Sequence, residues 1–383
     1  MNKIPTEKSG FNPNWQIKTL NEVCNKISAG GDKPDDCTTE KTEENQIPIF
    51  SNGIKNKGLC GYTKTPTITK PALTISARGT IGFACVRYEP FFPIVRLICV
   101  IPNEKLVVLE FLCYALQYII PQGEGTSVPQ LTIPNFKKIE IPIPPLDEQK
   151  RIASALSKID AYLENTIKLI EEKERFKRGI AKKLLTCKEG ENIPEARFKG
   201  FEDEWKETQI LEFVNNNIIK IEKGKSITKS KIEEGDIPVI AGGKTPPYYH
   251  NKYNYNFPCI TISASGSAGY VWFHDYKIWA SDCHVIYTDN KRYNIKFLYH
   301  YLKNIQDLIY YLQVGGVQKH VYAKDLIKLN IPNITIEEQE KIGGYLSLLD
   351  KEIDNLKKQK ELIKEMKRGA MQKLLSGEVR LLE

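Results

Sequence analysis

The stretch I-P-I-P-P-L-D-E-Q-K-R-I at 141–152 runs on through L-S-K-I-D at 156–160 to K-R-G-I-A-K-K-L-L at 177–185. It returns as I-P-N-I-T-I-E-E-Q-E-K-I at 331–342, L-S-L-L-D at 346–350 and K-R-G-A-M-Q-K-L-L at 367–375. The offset is 190 residues throughout, without a gap, and 17 of the 45 aligned positions are identical. Such a repeat marks an internal duplication, and any fold has to be read as two copies of one unit.

Each copy of the stretch predicts one long helix. Ile152, Leu156, Ile159, Leu163, Thr166 and Ile170 step by four and three, as do Ile342, Leu346, Leu349, Ile353 and Leu356. That is the narrow seam of a coiled coil rather than the broad apolar face of a globular helix. Asp147 and Glu148 sit where the first helix dipole favours acids, Thr335 with Glu338 predicts a capping box at the second start, and Gly377 a stop. At 1.5 Å per residue, some 37 residues make a rod of roughly 55 Å. A narrow seam cannot bury itself, so the two helices are expected to pair with each other, antiparallel if a two-fold relates the copies. The plainer alternative is that each packs on its own domain. Beyond Ile170 and Leu356 the seams meet Lys173, Lys177, Lys360 and Lys367, which leaves room for partner helices there. Gly179 and Gly369 stand mid-helix at a cost of about 1 kcal/mol each relative to Ala, as bare surface or as places where another backbone comes close.

The duplication extends upstream. Phe11…Trp15 echoes Phe201…Trp205, Ile47-Pro48 echoes Ile237-Pro238, and Thr74-Ile-Ser-Ala-Arg-Gly79 echoes Thr261-Ile-Ser-Ala-Ser-Gly266, the last pair 187 apart. Short strands are predicted near 47–50, 72–76, 81–87, 95–101 and 139–143, with a helix near 105–119. Their counterparts lie near 237–240, 259–263, 269–273, 283–287 and 327–331, with a helix near 295–312. The loops share almost nothing, so a framework repeats while the surface it presents does not. The expected architecture is mixed α/β: a first domain at 1–145, a long helix at 146–186, a linker at 187–200, a second domain at 201–334 and a second long helix at 335–377.

The 383 residues are 41% hydrophobic with net charge +8, enough for two ordinary domains with cores. Residues 51–103 hold Lys55, Lys57, Lys64, Lys70, Arg78, Arg87 and Arg96 against the single acid Glu89, a block that suits a polyanion as well as a solvated face. The start M-N-K-I-P-T-E-K lacks an apolar core, and the longest apolar run, 94–101, contains Arg96, so neither a secretory leader nor a membrane span is expected. Nine cysteines without a C-x-x-C pair suggest reduced thiols in the cytoplasm. Cys259, His274, Cys283 and His284 lack metal-ligand spacing and read as buried structure; no metal is expected.

A catalytic constellation is missing. Thr245-Pro-Pro-Tyr248 resembles the Pro-Pro-aromatic tail of amino-methyltransferase motifs, but Thr245 lacks the side-chain acceptor that the amine needs, and no glycine-rich cofactor loop precedes it. A binding module fits better. Duplex DNA is read by side chains presented to base edges while Lys and Arg hold phosphates. The divergent loops offer Asn52, Lys55, Lys57, Arg78, Ser127 and Gln130 in the first copy. The second offers Lys244, Tyr248, Tyr249, His250, Gln318, Lys319 and His320. Each is ordinary alone; recurrence at matched places in two copies is what singles them out. The alternative is a coiled-coil adaptor joining two protein-binding domains, without DNA readout.

The E-Q-x-x-I…L-S-x-x-D openings, the K-R-G…K-L-L endings, I-P-E-A-R-F-K-G-F-E-D-E-W at 193–205 and T-I-S-A-R-G-T-I-G at 74–82 resemble, together and in this order, the specificity subunits of type I restriction-modification systems. The resemblance implies two target recognition domains separated by an antiparallel pair of helices, and a bipartite asymmetric DNA site with one half per domain. It further implies a non-catalytic reader on which two methyltransferase subunits and the restriction (motor and nuclease) subunits assemble. S-adenosylmethionine, ATP and Mg would then belong to those partners and no cofactor to this chain.

Overall fold

The computed structural model describes residues 11–120 and 131–381. The chain divides into two compact units: 1–167 with 359–383, and 168–358. Each unit therefore holds one α/β domain, the first half of the long helix that leaves it, and the last half of the other.

The two domains repeat strand by strand. In the first, Cys24–Ala29, Ile98–Pro102, Ala72–Ile75 and Ala84–Arg87 form an antiparallel sheet in that order. In the second, Ile219–Lys223, Cys283–Thr288, Cys259–Ser263 and Val271–His274 do the same. A three-stranded sheet accompanies each. Ile47–Phe50 pairs antiparallel with Leu59–Thr63 and parallel with Phe92–Pro93. Ile237–Ile240 lies likewise between Tyr248–His250 and Trp279–Ala280. A two-stranded ribbon precedes each long helix, and Gln16↔Ile143 and Lys206↔Asn333 keep one register. Strands such as Lys206–Gln209 (K-E-T-Q) and Cys24–Ala29 (C-N-K-I-S-A) have little β-propensity and are held by their partners, which is why composition does not reveal them.

Several boundaries differ from expectation for local reasons. The strand expected at 95–101 starts at Ile98 because Val95 and Arg96 are left-handed, at φ +54° and +58°. The strand expected at 81–87 starts at Ala84, after a turn at Gly82 (φ +85°) whose N–H bonds to Ser76 O. The helix expected at 295–312 breaks into Ile295–Asn304 and Gln306–Tyr311. At the break the Gln306 side chain bonds to Gly269 O (2.7 Å) and Val271 N (3.1 Å), tying the helix to a sheet edge.

The long helices run Leu146–Leu185 and Ile336–Ser376. Within each unit they pass antiparallel. Asp160 meets Lys367 at 2.6 Å, and Tyr162 meets Gln359. In the other unit Lys173 meets Glu352 at 2.7 Å, Glu174 meets Lys357 at 2.7 Å, and Lys177 pairs with Asp350. The lysines that interrupt both seams are thus largely answered by acids of the facing helix. The apolar halves also do what the plainer alternative required. Ile152 and Leu156 join the core of Leu73, Phe111 and Phe136; Ile342, Leu346 and Leu349 join that of Ile260, Tyr293 and Phe297. The K-L-L ends serve the opposite domain, with Leu374 and Leu375 in the first core and Leu184 and Leu185 in the second.

Buried polar side chains fix each helix to its domain. Gln149 and Gln339, fully buried, accept from the N–H of Val108 and Asn294 (2.8 Å each) and donate to carbonyls of the turn before the helix. Glu338 takes two bonds from Arg197 (2.7 and 2.8 Å) and one from the Trp205 indole (3.3 Å). The expected capping box is therefore half formed: Glu338 N reaches Thr335 Oγ1 at 3.4 Å, but the carboxylate turns to Arg197. Glu148 in turn binds Arg380 at 2.5 and 2.7 Å. An added Cβ at Gly179 or Gly369 would meet nothing within 4 Å, whereas one at Gly343 would come 2.6 Å from Phe297 N.

Candidate nucleic-acid interface

At one end of each main sheet three or four loops converge. In the first unit these are 51–58, 76–82 and 94–97. Asn52 bolts them together, donating to Val95 O (2.7 Å) and accepting from Ala77 N (2.8 Å), while Gly53 N reaches Ser76 Oγ (3.2 Å). Val95 N and Arg96 N bond to Gly31 O and Gly30 O at 2.8 and 2.9 Å. Asn56 (φ +49°), Lys57 (φ +53°), Val95 and Arg96 are all left-handed. That is costly for a β-branched valine, and strain of this kind concentrates at functional sites. Lys55, Lys57, Arg78 and Arg96 are exposed on this edge beside Ile54 and Val95. The Lys57–Glu164 pair (3.2 Å) is open to water and worth little.

The second unit builds the corresponding edge from 241–247, 264–268, 281–282 and a hairpin at 314–320. Ser267 N bonds to Gly242 O (2.7 Å) and Ala264 N to Asp282 O (3.2 Å), and the hairpin closes through Val314 and His320 at 2.8 and 2.9 Å. Val321 N then bonds to Ala264 O (3.0 Å), as Leu131 N bonds to Ala77 O (3.2 Å) in the first unit. The same anchor therefore holds loops of different content. Where the first edge carries Arg96, the second carries Asp282; where it carries Arg78, the second carries Ser265, which donates to Asp282.

The sequence candidates divide by environment. Lys55, Lys57, Arg78, Lys244, Gln318 and Lys319 are exposed on these edges, and Tyr248 and Tyr249 are exposed on the strand that follows 241–247. His320 is half-buried, its ring stacked on Tyr322 at 6.2 Å. Asn52 spends its amide on the loop junction. His250, at 2% exposure, lies inside, its ring bonded to the Glu233 backbone and edge-on to Trp279, because strand alternation puts Tyr249 outward and His250 inward. Ser127 and Gln130 lie outside the described residues. Arg96, the half-buried Asp282 that stands in its place, and the exposed Val317 are additions; backbone strain marks the first and the hairpin the last, and neither is visible in residue type.

The basic block at 51–103 survives only in part: Lys55, Lys57, Arg78 and Arg96 share the loop edge, and the other three cations do not. Arg87 is buried with its guanidinium 3.6 Å above the Phe50 ring, bonded to Thr74 and Lys57 O. Lys64 pairs with Glu44 at 2.5 Å, and Lys70 lies at the opposite strand end beside Pro102. Among the described residues no His, Cys, Asp and Glu group could hold a metal ion. Burial pushes the Cys99, Cys113, Cys259 and Cys283 thiols up to about 12, far from nucleophilic use. No helix among the described residues is long and apolar enough to cross a membrane.

Two copies of one α/β domain, each with a different loop edge on the same anchors and a share in paired helices, define a tandem-repeat α/β protein. The model of the type I restriction-modification DNA specificity domain matches residues 12–172 and again 202–365. The chain belongs to that family and carries its domain twice. A putative type I specificity subunit of Mycoplasma pneumoniae is 37% identical over 153 residues, 39% of this chain and 45% of that protein. The match thus spans less than half of that relative. The putative MjaX specificity subunit of Methanocaldococcus jannaschii is 29% identical over 309 residues, 75% of this chain and 72% of that one. The fold is that of the crystal structure of a type I restriction-modification S subunit from M. genitalium, with TM-score 0.69 and 20% identity over 98% of this chain and 99% of that one.

Proposed function

We propose that the chain is the DNA-sequence-reading subunit of a type I restriction-modification complex. Each unit reads one half of a bipartite asymmetric site with its loop edge, and the chain itself is non-catalytic. The observation that carries this is the contrast between the edges: identical anchors at Ala77 and Ala264 present unlike side chains, as two different half-sites require. Exposed Arg and Lys suit guanine edges and phosphates, Gln318 suits adenine, and Val317, Val95 and Ile54 suit thymine methyls. Methyltransferase subunits, bringing S-adenosylmethionine, and restriction subunits, bringing ATP and Mg chemistry, complete the complex.

The test is a genome-wide map of adenine methylation with this chain present, deleted, or carrying another family member's domain in place of residues 1–145. A split motif that vanishes on deletion and changes in one half on exchange supports the reading. An exchanged chain that methylates the same motif overturns it. DNA binding by the complex that stays flat as salt rises would favour the adaptor instead.

A further inference from the structure

Each unit holds a basic groove where the late half of a long helix passes the domain helix. In the second unit a groove of about 470 Å³ is lined by Lys177, Arg178, Lys182 and Lys303 with Thr186 and Asn304. In the first, one of about 330 Å³ is lined by Lys367, Arg368, Lys364, Gln117 and Tyr118. The Lys-Arg pairs are the two copies of the K-R-G motif, 190 residues apart. The lysine of each pair is neutralised inside the unit, Lys177 by Asp350 and Lys367 by Asp160, and in the first groove Lys364 pairs with Glu361 as well, at 3.1 Å. Among the described residues no carboxylate lies within ion-pair distance of Arg178, Lys182, Lys303 or Arg368.

Two further observations point to a ligand. Lys303 and Lys244 both lie over the Tyr270 ring, at 4.2 and 5.6 Å, so in the second unit the groove joins the loop edge. Burial, with Lys177 and Lys244 nearby and Asp350 opposing them, holds Lys303 below its ordinary proton affinity, and its Nζ donates to Val271 O and Gln306 Oε1 at 3.3 Å each, so among the described residues the free cations of this groove are Arg178 and Lys182. The glycine after each Lys-Arg pair also has no packing reason within its unit, since its added Cβ would meet nothing within 4 Å. It leaves the helix face bare beside two cations, where another backbone can approach.

We propose that these grooves hold sugar-phosphate backbone of the duplex whose bases meet the loop edges, with Arg178, Lys182 and Arg368 as the phosphate contacts. This rests on the DNA-reading function above. The loops differ between copies, as base readers must, whereas the K-R-G run is the same in both, as suits the phosphates that every site shares. The methyltransferase complex assembled with Arg178→Gln/Lys182→Gln, Arg368→Gln or Gly179→Ala chains is titrated with cognate and unrelated duplex from 50 to 200 mM salt.

For each phosphate left without its cation, the slope of log affinity against log salt should become shallower by about 0.9. Cognate and unrelated binding should fall by the same factor, and the methylated motif should stay unchanged. Gly179→Ala should weaken binding without lowering thermal stability. Slopes that match the parent overturn the inference while leaving sequence reading intact. Loss of complex assembly overturns it in favour of an acidic partner segment in the grooves. A parent complex with no salt-dependent DNA binding refutes the DNA-reading function itself, and this inference with it.

Discussion

Replacing Glu338 should loosen the second unit more than any exposed substitution. Glu338 is 2% exposed, and its partner Arg197 has a side chain 12% exposed. The pair, together with the Trp205 indole, fastens the linker after the first long helix to the start of the second. The same bonds hold the Arg197 guanidinium protonated more firmly than usual. Removing one partner of a buried pair costs about 3–5 kcal/mol, mostly through the charge left behind. The Arg197 side chain keeps 12% of its surface exposed while its Nη1 is buried without a partner among the described residues, so a figure of about 3–4 kcal/mol applies to Glu338→Ala. Glu338→Gln keeps an acceptor and loses the charge, at about 1–2 kcal/mol, since bonds to charged groups are worth roughly 1.5–3 against about 1 for neutral ones. The double change Arg197→Met with Glu338→Leu should cost about 1 kcal/mol, because apolar groups of similar size replace such pairs almost without loss while the Trp205 indole N–H is left without its acceptor. Glu148→Ala should cost less, as Arg380 is 24% exposed. Urea unfolding of the full chain, with hydrogen exchange read over 191–206 and 335–342, measures all four. If Glu338→Ala costs no more than the double change, the pair is not what holds the linker.

Three further outcomes follow from the same geometry. All five histidines lie in the second unit, and burial pushes His274 and His300 from 6.5 down to about 3. The unfolded chain binds the extra protons, so the stability they contribute is present above pH 6.5 and lost as pH falls toward 3. That amounts to about 2 kcal/mol each by pH 5, and hydrogen exchange that loosens both units equally would contradict it. Gly343→Val should destabilise the contact with the helix at Ile295–Asn304 by about 1–3 kcal/mol, since even a Cβ meets Phe297 N at 2.6 Å; an unchanged urea midpoint would show that the helices can separate freely. Arg78→Ala or Arg96→Ala should weaken DNA binding of the assembled complex, by about 1–3 kcal/mol and with altered preference in one half-site if the side chain reads a base. A variant with parent affinity and preference removes that residue from the interface.

The repeat and the long helices were legible because they rest on identity at a fixed offset and on a 3–4 spacing, which neighbouring residues alone determine. The loop edges were legible only as places where the copies diverge. Side-chain use within them was not, because it depends on partners far along the chain. Asn52 looks like a reader until Val95 and Ala77 come within reach of its amide, and His250 until the strand sets its ring against Trp279. Lys177 and Lys367 looked like gaps in a seam because the acids that answer them, Asp350 and Asp160, are far away in sequence. Even Arg87, the most buried cation of the basic block, counts in composition as if it were free.

That same long-range pairing accounts for the division between what repeats and what does not. Gln149 and Gln339, Glu148 and Glu338, and Asp160 with Lys367 against Asp350 with Lys177 are polar groups placed inside or between elements. Each would cost free energy if it were deprived of its partner. A change at any of them disturbs helix, domain and linker together. The loop edges are coupled only locally: they hang from backbone bonds at Ala77 and Ala264, and the side-chain bonds within them, Asn52 to Val95 and Ala77 in one copy and Ser265 to Asp282 in the other, do not reach the long helices or the linker. Arg96 in one copy and Asp282 in the other can therefore differ in charge without a change in the strands below. In a protein built this way, altered sequence preference should come from residues 51–58, 76–82, 94–97 and their counterparts. Altered assembly and stability should come from the polar set that the two copies share.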